Sequence, residues 1–496
     1  MPDKHELGLL LNACVPLICI ESRDEPTVLK LLTDIAISGS AGQHRPLFRW
    51  SVTDGLQRID IELAPQPLNS EPADVLGHIR AVDKVAFYCL LDFHPYFNDP
   101  LLVRKLKDIC IAFSRTGSKL ILISAKLSLP DDLKHYSARY ALKFPDENRR
   151  TRIVNDIARD WRDSNGGKAV KSDRKALSLL VRNLSGLSVA DVQRLARNAI
   201  ADDGVIDHND IQNVMEAKYK LLNKDGLLSY EYETSHFAEV AGMHSLKEWI
   251  SKRRRVFSGE SARPGLDPPK GVILIGVQGC GKSLAAKATA GALGTPLLRL
   301  EFGNLFNKYH GETERNLRES LAMAETMAPC VLWIDELEKG LSGRDDTTGT
   351  AQRVLGAFLT WMAERKPGVF VVATANEIER LPPELIRKGR FDEIFFVDLP
   401  DEKVRAEIVR LHLIRRGLPE QQIDISKVAN QTPDFSGAEL EQLVVSAFYS
   451  ADADEQALST QHLLEEIART QPLAVVMREN VERLRDWAAS RTVAAH

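Results

Sequence analysis

Between an apolar run at residues 271–275 and a helix-forming run at 284–293 stands Gly276-Val277-Gln278-Gly279-Cys280-Gly281-Lys282-Ser283, and few sequences leave a chain less choice of architecture. The pattern is that of a P-loop. Its glycines suit a loop that turns successive backbone N–H groups inward, a conformation that side chains would obstruct. A helix beginning near Ser283 adds the positive end of its dipole to the same anion site. The segment from Gly276 to Leu284 is therefore expected to wrap the phosphates of a nucleotide. Lys282 would reach the β- and γ-phosphates, and the Ser283 hydroxyl is placed to ligate Mg²⁺.

The chain has 496 residues, too many for one small module. Short runs rich in Val and Ile alternate with longer helical patterns throughout, as in α/β proteins with a mostly parallel sheet. The pattern occurs twice. Strands are expected at 271–275, 331–334, 369–373 and 395–397, and in the same order at 16–20, 86–91, 120–123 and 141–144. Ile20, Asp92, Ser124-Ala125, Leu129-Pro130, Pro145-Asp146-Glu147 and Ser188 find counterparts in Ile275, Asp335, Thr374-Ala375, Leu381-Pro382, Pro400-Asp401-Glu402 and Ser436, at offsets of 243 to 255 residues. Six matches in order argue for a duplicated module. The organisation expected is a first module over 1–222, a polar tether over 223–236, a core over 237–400, a helical lid over 401–473 and a charged amphipathic helix within 474–496.

Residues 331–334 lead into Asp335-Glu336, two carboxylates at the carboxyl end of a strand, where α/β sheets bind ligands. Asp335 is expected to hold the Mg²⁺ shell, and Glu336 to activate the attacking water as general base. Asn376, just past the next strand, is suited to fix that water or to read the γ-phosphate.

Lys282, Asp335-Glu336, Ala375-Asn376 and Gly389-Arg390-Phe391-Asp392 resemble the corresponding motifs of the AAA ATPases. The resemblance covers residues 237 to about 473. It implies that Arg387 and Arg390 are arginine fingers reaching the γ-phosphate of a neighbouring subunit. It also implies that Val240-Ala241-Gly242 and Gly437-Ala438 pack on adenine, and that Lys308-Tyr309-His310 forms a central-pore loop. Over its whole length the chain is similar to the AAA family called hypothetical chloroplast open reading frame forty-six. That similarity implies two tandem AAA-like modules, each a parallel sheet sandwiched by helices with a small lid. It further implies ATP and Mg²⁺ as cofactors, a homo-oligomer in the form of a hexameric ring, and a link to photosynthesis or inorganic-carbon use. In this sequence Val277-Gln278 stand where such proteins usually have two prolines, and Cys280 where they have threonine.

The first half lacks the phosphate chemistry. After Ile20 the sequence is Glu21-Ser22-Arg23-Asp24-Glu25-Pro26, without glycines and with acids that would repel phosphate. Phe93 follows Asp92, and Lys126 stands opposite Asn376, so a scaffold or partner-binding role is expected there. The 65 basic and 69 acidic residues give a net charge of −4, which makes no case for bulk nucleic-acid binding. A protein client is therefore preferred, with Tyr309 gripping it; a nucleic-acid-associated switch using Lys252 to Arg255 and Asn148 to Arg152 is the competing reading. Six scattered cysteines, none in a CxxC pair, suggest a reducing compartment. At Cys280 a helix end and Lys282 would favour a reactive thiolate, whereas burial would leave it inert. No apolar stretch approaches a membrane span, so a cytoplasmic or stromal protein is expected.

Overall fold

The computed structural model describes residues 2–38, 44–61, 69–172, 174–201, 204–223, 228–231, 240–261, 263, 265–302, 313–341, 349–387, 389–418 and 420–496. They form two compact units, residues 1–153 with 186–194 and residues 154–185 with 195–496. No helix among the described residues is long and apolar enough to cross a membrane.

The first unit is built on six strands: β1 (Leu17–Glu21), β2 (Leu47–Ser51), β3 (Gly55–Arg58), β4 (Phe87–Leu91), β5 (Lys119–Ser124) and β6 (Ser137–Tyr140). Their order is β3-β2-β4-β5-β1-β6, and only β3 runs antiparallel to its neighbour. Residues along β1 alternate between two cores because strand side chains alternate between faces. Leu17 and Cys19 pack with helices Pro72–Ala81 and Pro100–Thr116, while Ile18 and Ile20 pack with Pro2–Asn12 and Glu25–Ile37. Burial on both faces explains why these strands read as unbroken apolar runs.

The second unit holds a two-stranded parallel ribbon of β7 (Lys171–Ser172) and β8 (Val205–Ile206) and a larger sheet. The larger sheet comprises β9 (Leu228–Glu231), β10 (Gly271–Gly276), β11 (Leu297–Glu301), β12 (Cys330–Asp335), β13 (Val369–Ala375), β14 (Glu393–Val397) and β15 (Val493–Ala494). Its order is β15-β14-β10-β13-β12-β11-β9. The run β14-β10-β13-β12-β11 repeats the arrangement β6-β1-β5-β4-β2 of the first unit, and each sheet adds one antiparallel strand beyond it. Helices Lys282–Leu293 and His244–Phe257 cover one face; Thr313–Met327 and Thr350–Glu364 cover the other. A separate helical core forms the lid from Glu402–Arg415, Ile425–Asn430, Gly437–Ala453 and Thr460–Arg469.

Three expectations are corrected. The strand expected at 141–144 lies at Ser137–Tyr140, pairing Leu17 with Ser137 and Ile20 with Tyr140. An edge strand needs little apolar content, and Phe144 is exposed. The tether expected over 223–236 contains β9, because Leu228 and Tyr230 alternate with polar residues and β11 offers a free edge. Finally, residues 154–185 and 195–222 belong to the same compact unit as the larger sheet rather than to a first module ending at 222. Buried Met215 joins the core formed by Ile273, Leu300 and Leu332, and Ser185 Oγ donates to the Ala328 carbonyl at 2.9 Å.

Candidate nucleotide site

Strands β10, β13 and β12 are neighbours in the sheet, so their carboxyl ends deliver three sequence motifs to one place. From β10 the chain turns through residues 277–281 into the helix Lys282–Leu293. Gly276 is required there: a Cβ would lie 2.0 Å from the Val397 carbonyl oxygen, a backbone atom that cannot swing away. Gly281, at φ +87°, supplies the left-handed step into the helix. The loop opens on a cavity of about 470 Å³.

The segment from Gln278 to Leu284 lines that cavity, together with Asp335, Glu336 and Asn376 from the other two strands. Val240 and Ala241 form part of another wall, and Gly437 and Ala438 reach in from the lid. Gly276 and Val277 lie behind the loop, with Val277 buried in the sheet-facing core. Gly242 lies beside the wall, its N–H donated to Glu407 Oε2 at 3.1 Å. Arg387 and Arg390 are not among the residues lining the cavity. Arg387 is exposed, and Arg390 Nη1 donates to the Leu359 carbonyl of the helix Thr350–Glu364. Lys308, Tyr309 and His310 lie outside the described residues.

Lys282 is buried and donates to the carbonyl oxygens of Gly276 and Val277, each at 2.8 Å. Burial pulls its ammonium down to about 8 against the opposing fields of Glu338, Asp335 and Glu336. An ammonium held so far from water gains strongly from an arriving anion. Asp335 is fixed from both sides, its Oδ1 accepting from Thr374 Oγ1 at 2.7 Å and its Oδ2 from Arg299 Nη2 at 2.8 Å. Glu336 sits at φ +49°, its N–H donated to Thr374 Oγ1 at 3.2 Å and its carboxylate 2.6 Å from Lys339 Nζ. The Asn376 N–H donates to Glu338 Oε1 at 2.9 Å. Glu338 is buried, which raises its carboxyl above the usual range.

At Cys280 burial prevails: the thiol is pushed up to about 12, with Lys282 opposing. Of the two readings the sequence left open, the buried, inert thiol is the one this shift favours.

Sequence reasoning missed the lid's contribution. Ile408, Leu411, His412 and Arg415 line the cavity from one face of the helix Glu402–Arg415. Their spacing of i, i+3, i+4, i+7 was the available signal. Burial lowers the pKa of His412, with Glu441 at 3.6 Å opposing, so the ring is kept neutral. Glu338 was also passed over, although a third acid two residues beyond Glu336 was legible.

The first unit offers a parallel without the loop. Ser124 Oγ donates to Asp92 Oδ1 at 3.0 Å, as Thr374 does to Asp335, and Asp92 sits at φ +46°. Only Ser22, Arg23 and Asp24 separate β1 from the next helix, and Asp24 caps that helix by accepting the Thr27 N–H at 3.3 Å. A carboxylate thus takes the helix N-terminus that a phosphate would need.

Comparison with known proteins agrees with this geometry. Residues 272–399 match the model of the ATPase family associated with various cellular activities (AAA), and residues 422–466 match the AAA+ lid domain. Residues 3–142 and 149–225 match the N-terminal and second domains of SpoVK-like AAA ATPases. The AAA domain-containing protein ycf46 of Pyropia yezoensis is 34% identical over 98% of this chain and 97% of its own length. The chain belongs to the ycf46 family of AAA domain-containing proteins. The ycf46 protein of Trieres chinensis is 33% identical over 99% of the chain and 97% of its own length. Beyond the family, the proteasome-activating nucleotidase of Thermococcus gammatolerans is 36% identical over 40% of this chain and 51% of its own. As a ycf46 family member with an AAA domain and lid, the chain is an ATP-hydrolysing enzyme.

Proposed function

We propose that the cavity binds ATP with Mg²⁺ and hydrolyses it within a hexameric ring that remodels a protein client. The observation carrying this reading is the convergence of Lys282, Asp335, Glu336 and Asn376 on one cavity from three adjacent strands. The loop amides and Lys282 bind the β- and γ-phosphates, and the base lies toward Val240, Ala241, Gly437 and the neutral His412. Ser283 Oγ and the Asp335 carboxylate are hard oxygen donors of the kind Mg²⁺ takes. Ser283 and Asp335 would hold Mg²⁺, and the charge neutralisation it would supply there favours the bound phosphates. Glu336 accepts the proton of the attacking water as its oxygen bonds to the γ-phosphorus and the bond from that phosphorus to the departing ADP oxygen breaks, and Asn376 orients that water. Arg387 and Arg390, outside their own chain's cavity, serve the site of a neighbouring copy.

The protein client is supported by the likeness to a proteasome-activating nucleotidase and by the near-neutral charge of the chain. Lys308-Tyr309-His310 would grip that client at the axis of the ring. The first unit, without a phosphate loop, recruits partners. The ycf46 relatives support a stromal or cytoplasmic setting, and a role in photosynthesis or inorganic-carbon use is part of the same reading. Nucleotide affinity and steady-state hydrolysis of two variants test the site. Lys282→Ala should lose ATP binding, whereas Glu336→Gln should bind ATP normally and lose turnover. ATP affinity equal to the parent's in Lys282→Ala would remove the assignment.

A further inference from the structure

In the wall of the cavity beside the phosphate loop, two consecutive residues are held in the left-handed region, Gly242 at φ +62° and Met243 at φ +52°. Met243 lines the cavity and has a side chain, so its backbone is disfavoured unless its surroundings hold it there. What holds it comes from the far end of the chain. Strand β15 pairs in parallel with β14, and the Ala495 N–H donates to the Phe396 carbonyl at 2.9 Å. Ala495 is buried in the same core as Val240 and Met243. Its carbonyl accepts the Ser245 N–H at 3.1 Å, and the His496 carbonyl accepts Ser245 Oγ at 3.3 Å. The Met243 N–H then donates to His496 Nδ1 at 3.2 Å. A Cβ at Gly242 would lie 2.7 Å from that nitrogen and 3.0 Å from the Val404 methyls of the lid helix. The turn is clamped between the lid and His496.

We propose that His496 is a positioning residue for the nucleotide base: by accepting the Met243 N–H it holds the turn over Val240–Met243 in the shape that receives the adenine ring. This rests on the cavity being the nucleotide site. A Cβ at Gly281 would lie 3.4 Å from the Met243 Cε, so the turn touches the phosphate loop; the loop amides and Lys282 that would take the phosphates belong to other residues, and the hydrogen bond from His496 bears first on the base end.

Its action depends on protonation. Nδ1 accepts a hydrogen bond only in the neutral ring; an imidazolium would present N–H against N–H. Burial, with His244 assisting, lowers the His496 pKa below its ordinary 6.5, while the Asp398 backbone and the Asp398 and Asp401 carboxylates oppose. Glu407 and Lys247, the other charged groups at this turn, are engaged by the Gly242 N–H and the Val240 carbonyl. The contact is therefore complete above the ordinary value and is lost as pH falls through the lowered one.

The test uses the full chain and two probes, ADP and inorganic tripolyphosphate, with affinities measured by calorimetry. His496→Ala should weaken ADP about fivefold to tenfold, the worth of one hydrogen bond and the turn it holds, and leave tripolyphosphate unchanged. His496→Asn, whose amide oxygen can accept the same N–H, should bind ADP as the parent does. On acidification the parent should lose ADP affinity more steeply than His496→Asn. An unchanged ADP affinity in His496→Ala, or an equal loss for both probes, would overturn the inference. If His496→Ala does not fold, the pH profiles decide, and parallel profiles for the parent and His496→Asn overturn it. Lys282→Ala separates the two readings. Tripolyphosphate binding to that variant as tightly as to the parent would remove the nucleotide site and the role of His496 with it, whereas failure of the His496 variants alone leaves the site standing.

Discussion

Burial decides the chemistry of the two loop residues that sequence alone leaves undetermined. For Cys280 the helix end and Lys282 pull toward thiolate, but the side chain is only 8% exposed and desolvation outweighs both. Cys280→Thr should therefore leave oxidant sensitivity of ATP binding unchanged, measured as affinity before and after mild peroxide. Greater resistance in the variant would show that the thiol ionises after all. For Lys282 the same burial works toward function, holding a cation out of water where phosphate is its best partner. The acids were legible for a different reason. Asp335, Glu336 and Asn376 end strands, and strand ends in a parallel sheet project ligand-binding groups by geometry, without reference to solvent. The burial of a loop thiol or ammonium, by contrast, depends on how elements pack around it, which the loop's own residues do not encode.

Elements that carry their own periodicity were readable, and those defined by a neighbour were not. Strands β10, β12 and β13 are buried on both faces, so their apolar runs announce them; β6 and β9 form only because β1 and β11 present open edges. The lid helix Glu402–Arg415 shows the intermediate case, with a helical pattern that was plain but a cavity-facing stripe that needed the lid's placement. Strand β9 offers a direct measurement. Leu228 is 2% exposed and packs in the core with Leu298 and Leu300. Leu228→Ala should cost about 2–5 kcal/mol, read from chemical denaturation. A free tether would show a change within about 0.5 kcal/mol.

At the scale of the whole molecule, the proposed ring bears on which cations reach the cavity. Lys282 is the cation at its phosphate end, and the other cations lining it, Arg415 and, when protonated, His412, come from the lid. Charge that develops on the γ-phosphate during transfer needs a further cation. Arg387 is exposed, Arg390 donates to the Leu359 carbonyl, and neither lines the cavity of its own chain. In the proposed ring each chain would offer these arginines to the next and so supply that positive charge. Such a finger contributes on the order of 10³ to 10⁵ in rate, so Arg390→Ala should bind ATP with parental affinity and hydrolyse it slower by about that factor. Mixing separates a finger in trans from one in cis. A ring containing both Arg390→Ala and Lys282→Ala chains includes sites that pair an intact phosphate loop on one chain with an intact arginine on its neighbour. Those sites should restore turnover well above either variant alone. Mixed rings verified by mass that stay as inactive as their parents would place the arginine's role within its own chain.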